Sequence, residues 1–356
     1  DAKKIKADFE QLDDVKVEIA SAMSDSRLTP PTKLKNNWFS RPFRMFVEMY
    51  GVPSYTDFDP TNLVAITYTF LFGMMFGDVG QGIVLSLVGY FFYKWKGMQL
   101  GAVGMRLGIS STIFGFVFGS VFGSEELFEH FMEPMFLPMD PDNTMTLLMS
   151  AIATGVVLII ISIAFNIFLN LKKKHWGEML FSQNGVAGLV FYISVLLLVA
   201  NMLVGMNLPL GGPVYIALLI AMPVVMIFLK EPLCHKLEGE KMFPHGFGAF
   251  FTEAFFELFE VMLTFIANTM SFLRVGGFVL SHAGMMMVVY TLAEMVAGGP
   301  EIINFGYILV AIIGNIFVMC LEGMIVGIQV LRLEFYEMFS RYYEGKGKPF
   351  QSIQEK

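Results

Sequence analysis

The stretch SFLRVGGFVLSHAG occupies residues 271–284. It lies inside a long apolar segment, and it carries an arginine, Arg274. A central arginine in a membrane helix costs about 3 kcal/mol on insertion scales, and such charges usually face a bundle interior or a wet cavity. Whether this stretch belongs to a soluble core or to a membrane span decides the fold.

Composition answers first. Of the 356 residues, 55% are hydrophobic, only 15% are charged, and 37 are Phe. Soluble domains are about a quarter charged. The chain therefore reads as a polytopic membrane protein with a short polar head. The net charge of −7 carries little weight, because charge in a membrane protein matters by location. Cys234 and Cys320 are far apart and offer neither a disulfide framework nor metal-ligand spacing. The N-terminal residues DAKKIKADFEQLDDVKVEIA have no apolar core and are not a signal peptide. They begin without Met, so a processed or truncated start is expected, with a larger soluble part absent.

Residues 1–60 form the head, expected as a cytoplasmic stub and linker. Residues 1–24 alternate charged and apolar groups as an amphipathic helix does, and three prolines in LTPPTKLKNNWFSRPF then break the pattern. Apolar runs follow. With about 20 apolar residues per span, spans are expected near 61–78, 80–97, 101–123, 146–171, 184–206 and 212–230. Two longer helices are expected near 248–297 and 302–343. The organisation is then a six-helix membrane bundle over 61–230, two long helices within 231–350, and a tail at 351–356. GDVGQG reads as a tight turn joining the first two spans, and Gly115, Gly119 and Gly123 are spaced for close helix packing.

The basic residues give the orientation. Nine precede residue 60. Lys94, Lys96 and Arg106 are assigned between the second and third spans, and Lys172, Lys173 and Lys174 follow the fourth. Lys230, Lys236 and Lys241 follow the sixth, and Arg341, Lys346, Lys348 and Lys356 follow the eighth. With eight alternating spans all of these fall on one side, while the opposite loop SEELFEHFMEPMFLPMDPDNT holds acids and no Lys or Arg. The positive-inside rule then puts both termini in the cytoplasm. The expected fold is an all-α polytopic membrane protein with eight transmembrane helices, the last two long and strongly tilted.

Only Arg274 and Arg332 are left over from the 24 basic residues. Arg274 is roughly 35 Å, and Arg332 roughly 44 Å, from the outer end of its helix at 1.5 Å per residue. Neither helix fits upright in a hydrocarbon core about 30 Å thick. Strong tilt would bring both arginines towards mid-membrane, and such tilt must be imposed by packing against a partner or a cavity. Polar neighbours suggest a wet path. Thr264, Asn268 and Ser271 make a stripe leading to Arg274, with Ser281 and His282 further on. Glu322 and Gln329 share a face of the last helix, and Gln329 is three residues from Arg332. A buried Glu or a His can exchange a proton near neutrality. Glu253, Glu257 and Glu260 read as a solvated face or the rim of an entry funnel.

The chain has no GxxxxGK[ST], no HExxH and no paired-cysteine metal site, so no enzymatic chemistry, cofactor or metal of its own is expected. Nothing points to nucleic acid. A fixed guanidinium flanked by exchangeable polar groups suits ion translocation. It favours the ionised form of a passing carboxylate, and it stays charged where a lysine could lose its proton.

Three long motifs carry a resemblance from about residue 45 to the C-terminus. They are YGVPSYTDFDPTNLVAITYTFLFGMMFGDVGQG at 50–82, SFLRVGGFVLSHA at 271–283, and LEGMIVGIQVLRLEFYEMFSRYYEGKGKPF at 321–350. The chain resembles the membrane domain of subunit a of the rotary V-type and A-type ATPases, called subunit I in prokaryotes. Departures are local: Phe272 and VGG stand beside the arginine where the family more often has Tyr and LWA-like residues, and Gln81 stands where His is common. The resemblance implies that Arg274 is the essential arginine facing the carboxylates of a proteolipid c-ring (K subunits), and that Arg332 is the second arginine. It implies that Glu322 and His282 lie on the ion path, with Ser271 and Gln329 beside it. It also implies contacts of an absent arm with peripheral-stalk E/G subunits and central-stalk-end subunits. A multi-pass place in a bacterial or archaeal plasma membrane is expected, with H⁺ or Na⁺ as the ion. Two alternatives stay open at this point: a free-standing secondary cation transporter, and a non-conducting membrane anchor for a stalk. No internal repeat of the kind common in secondary transporters is visible.

Overall fold

Backbone polar groups in hydrocarbon must be satisfied within the protein, which leaves helices as the economical solution for a chain this apolar. The structure is a computed structural model. It describes residues 30–55, 57–124, 141–204, 212–238, 247–299 and 302–350, together with positions 6, 9 and 19. Within these there are helices and three isolated bridges, but no strand. The amphipathic pattern expected at 1–24, the acidic loop around 125–140 and the tail at 351–356 lie outside the described residues.

Twelve helices position the site. A short α1 (Arg44–Tyr50) precedes α2 (Thr61–Met75), α3 (Val79–Lys96) and α4 (Gln99–Phe118). Then come α5 (Pro141–Lys173), α6 (Trp176–Phe181), α7 (Val186–Val204), α8 (Pro213–Phe228) and α9 (Lys230–Glu238). The last are α10 (Phe247–Ser271), α11 (Leu273–Ala297) and α12 (Phe305–Tyr342). Among the described residues, five stretches are long and apolar enough to cross a membrane: Gln99–Phe118, Asn143–Lys173, Trp176–Met202, Phe250–Ala297 and Phe305–Tyr342. Of the other three expected spans, two are the shorter apolar helices Thr61–Met75 and Pro213–Phe228. The third is α3, which ends on Lys94 and Lys96.

The last two helices are as long as expected. Phe250–Ala297 runs 48 residues and Phe305–Tyr342 runs 38, about 70 Å and 57 Å at 1.5 Å per residue. The first is interrupted, however, where the sequence pattern reads as continuous. Phe272 separates α10 from α11, and the backbone tightens there, with Phe272 N–H donating to Thr269 O and Val275 N–H to Phe272 O. The cause is packing. The Phe272 ring is fully buried and lies against Gly155 of α5, in the space a side chain there would fill. The second helix widens into a π segment over Glu334–Phe339.

Helices in lipid associate by close van der Waals packing rather than by expelling water. The α3–α4 pair does this through glycines, with Gly82 against Gly108 and Gly89 against Gly101, backbone to backbone. The expected packing series 115, 119, 123 divides. Gly115 faces the Asp78–Val79 backbone, whereas Gly119 (φ 67°) caps α4 and Gly123 (φ 72°) makes the following turn. One apolar core unites α1 and α2 with α5, α7 and the last two helices; Phe43, Phe272, Val330 and Phe339 are among its fully buried members.

Two of the basic residues counted towards the orientation are buried within helices and do not lie in loops. Arg106 is 5% exposed inside α4, donating from Nη1 to Ala102 O and from Nη2 to Trp38 O, with its guanidinium over the Trp38 ring. Arg341 is 6% exposed near the end of α12. Position along the chain could not separate them from loop cations, because each lies within a few residues of a polar helix end.

Candidate functional site

The turn GDVGQG is more than a connector. Asp78 is fully buried and caps α3, its Oδ1 accepting from Gln81 N–H at 2.8 Å. It also accepts from Ser120 Oγ at 2.8 Å, Phe122 N–H at 3.0 Å and Gly123 N–H at 2.6 Å. Four donors on one carboxylate hold it as a fixed anion, as for a charge at a helix N-terminus. His282 of α11 brings its Nε2 to 3.7 Å from Asp78 Oδ2, close enough for charge attraction and too long for a hydrogen bond. On the other side, His282 Nδ1 lies 2.6 Å from Glu322 Oε2 of α12. All three residues are buried. The Phe76 ring meets the imidazole edge-on at 5.3 Å. Gln81 Nε2 donates to Asn315 Oδ1 at 3.1 Å and reaches Met286 Sδ at 3.4 Å, so α3, α11 and α12 are tied at one level.

A second cluster surrounds Arg274, eight residues before His282 on α11. Arg274 Nη2 donates to Ser271 Oγ at 3.2 Å. Ser271 in turn hydrogen-bonds the Glu337 carboxylate in the π segment of α12. Arg274 is within electrostatic reach of Arg332 and Glu337. Its Nη1, Glu337 Oε2 and Gln329 Oε1 are buried without a hydrogen-bond partner, as expected of groups that take water or an ion. Arg332 itself is exposed. It interrupts an apolar exposed stripe of α12 made by Ile313, Phe317, Met324, Ile328 and Tyr336.

The six residues singled out in the sequence thus divide between two clusters. His282 and Glu322 meet directly. Ser271 and Arg274 meet each other, with Gln329 half-buried near the exposed Arg332. Thr264 is exposed and Asn268 half-buried along α10. Glu257 pairs with Lys230 at 3.2 Å, while Glu253 and Glu260 are exposed. Sequence reasoning missed Asp78 and Glu337. The signal for Asp78 was present, since Asp before a helix start is an N-cap. Glu337 lies four, seven and eleven residues past the buried Leu333, Val330 and Val326, so its helical spacing was the signal that could have placed it on the inward face.

Outside the spans, the segment after α12 locks onto the head. Tyr343 OH donates to Gly51 O at 2.6 Å, and Gly347 N–H donates to Val52 O at 2.7 Å. Burial, with Asp59 and Asp57 adding to it, pushes the Tyr343 phenol up, so it stays a donor.

Fold and site define a class: a multi-pass helical membrane protein whose last two helices carry buried charges flanking an arginine pair. Comparison with known proteins finds similarity to one family. Residues 1–115 match the V-type ATPase 116kDa subunit family. The chain is 29% identical over 361 residues to A-type ATP synthase subunit I of Aeropyrum pernix, covering 91% of this chain and 51% of that protein. The same subunit of Methanocaldococcus jannaschii is 25% identical over 352 residues, covering 90% of this chain and 48% of the relative. That of Pyrococcus horikoshii is 27% identical over 346 residues, covering 92% and 48%. The chain spans about half the length of these curated relatives. These matches support the recognition made from the motifs, that of membrane subunit a or I of the V/A-type ATPase family.

Proposed function

We propose that this chain is the stator ion-channel subunit of a rotary ATPase, non-catalytic itself. It carries H⁺ or Na⁺ through two half-channels to and from the carboxylates of a proteolipid c-ring. ATP hydrolysis or synthesis takes place on other subunits. In this reading the chain crosses the membrane eight times, with both termini cytoplasmic and the last two helices tilted against the ring. The 61–230 bundle supports the 231–350 pair, and stalk E/G and central-stalk-end subunits meet an N-terminal arm. The setting is a bacterial or archaeal plasma membrane.

The observation that carries the reading is axial order. Along the antiparallel α11–α12 pair, Asp78, His282 and Glu322 lie to one side of the arginines, and Ser271 and Glu337 lie at the other. Arg274 and His282 are eight residues apart, about 12 Å along the axis. Arg332 is exposed in an apolar stripe, within electrostatic reach of Glu337, and its outer side is open to a carboxylate from another chain. Two polar routes that end at one pair of fixed cations, facing an unpartnered surface, are what exchange with a moving carboxylate requires. The cations favour release of its ion, and they block a direct leak between the two routes.

The test is ATP-driven ion uptake by the reconstituted complex carrying Arg274→Ala, with ATP hydrolysis and subunit content followed in the same sample. Loss of uptake with the ring still bound is expected. Wild-type uptake would overturn the reading.

A further inference from the structure

Glu334 has no role in the two routes above, yet it is as fully enclosed as Asp78. It is 0% exposed; neither carboxyl oxygen makes a hydrogen bond of normal geometry, and the Thr67 hydroxyl, which donates to Leu63 O, lies beside it. It opens the π segment, three residues before Glu337. The groups facing it come from two elements. Tyr68, next to Thr67 on α2, and both Glu337 and Tyr342 on α12 lie within electrostatic reach. Tyr68 OH already donates to Gly327 O at 2.9 Å. The Tyr342 hydroxyl is buried and partnerless, like the Glu334 oxygens. Beyond Tyr342 is a polar cavity of 1160 Å³ lined by Arg341, Tyr342, Asn184, Asp57, Lys173 and Glu344. A bare carboxylate without partners in such a place is very costly. Orphaned polar atoms strung between Glu337 and a wet cavity are where buried waters bind.

We infer that Glu334 is a proton-holding site on an internal water branch, which links Glu337 to the polar cavity by way of Tyr342, inside the bundle and away from the exposed face of α12. The branch carries a proton only: Glu334 takes it from water on the cavity side and gives it up to water beside Glu337, with no other bond made or broken. The inference rests on the proposed ion path, since a branch has a use only where Glu337 exchanges ions.

The test uses the intact reconstituted complex carrying Glu334→Gln, Glu334→Asp or Tyr342→Phe, with Arg274→Ala as reference. H₂O/D₂O infrared difference spectra of wild type against Glu334→Gln read the carboxyl directly. A protonated-carboxyl band that shifts in D₂O and vanishes in the variant is expected; its absence between pH 5 and 9 overturns the inference. In proton uptake, Glu334→Gln is expected to fall about a hundredfold or more, the lower end of the range for losing one proton-transfer group. Tyr342→Phe is expected to fall severalfold, while Glu334→Asp keeps most of the rate. Wild-type uptake by both Glu334→Gln and Tyr342→Phe would make Glu334 structural and sink the branch. Loss in Arg274→Ala with wild-type rates in both of those leaves the ion path standing and removes only the branch. Wild-type uptake in Arg274→Ala removes the ion path itself, and the infrared band still decides whether Glu334 holds an exchangeable proton.

Discussion

His282 Nδ1 lies 2.6 Å from Glu322 Oε2, across the contact between α11 and α12, with Asp78 on the far side of the ring. Forty residues separate the pair in sequence, and each side chain is at most 5% exposed. One imidazole between two fixed acids ties three separate elements into one polar unit.

Breaking that unit should cost both stability and transport. Removing one partner of a buried charged pair leaves the other uncompensated, which costs about 3–5 kcal/mol. Thermal unfolding of the purified complex should show a clear drop for Glu322→Ala and for His282→Ala. The double variant should lose less than the sum. An additive double variant would mean that the two side chains do not interact.

Asp78→Ala removes the acceptor for four donors and the cap of α3. A lost cap costs about 1 kcal/mol, and each buried donor left unsatisfied adds about 1–3 kcal/mol. Limited proteolysis should therefore cut near Ser120–Gly123 faster in Asp78→Ala than in wild type. Equal rates would show that the turn is held by other contacts.

Gly115→Ala places a methyl against the Asp78–Val79 backbone, which cannot step aside. Overpacking of this kind costs about 1–3 kcal/mol. Gly104→Ala is the control, because a methyl there would have its nearest neighbour at 3.8 Å. Denaturation in mixed micelles should separate the two; equal stability would count against backbone-to-backbone packing of α4.

Tyr343→Phe deletes the hydroxyl bond to Gly51 O while leaving the ring on Phe339. The loss should be about 1 kcal/mol. The pH dependence has a sign. A phenol raised in the folded state binds its proton more tightly there than in the unfolded chain, so its contribution is complete below the ordinary value of 10.0 and is lost as pH rises above it. Wild type should therefore weaken faster than Tyr343→Phe on the alkaline side. Parallel curves would mean that the phenol is not the titrating group.

Ser271→Ala should keep the fold and lower ion uptake, because Ser271 bridges Arg274 to Glu337. Uptake and ATP hydrolysis measured together would decide it. Unchanged coupling would make the bridge incidental.

Hydropathy and spacing alone determined that this chain is a multi-pass helical protein ending in two very long helices, and they picked out Arg274, Arg332, His282 and Glu322. Those signals are local: an apolar run is read residue by residue, and a charge within one stands out against its own neighbours. Only the tertiary structure decided which charges meet. Asp78 reaches His282 from more than two hundred residues away, and Gln81 reaches Asn315 across 234. Periodicity gives the face of each helix, but not the rotation and height at which two faces dock. The burial of Arg106 and Arg341 was hidden for the same reason, since it depends on Trp38, Asn184 and Phe265 folding over them. Glu334 and Glu337 share the face of the buried Val326, Val330 and Leu333 at helical spacing; that this face is covered by protein was decided only by the packing.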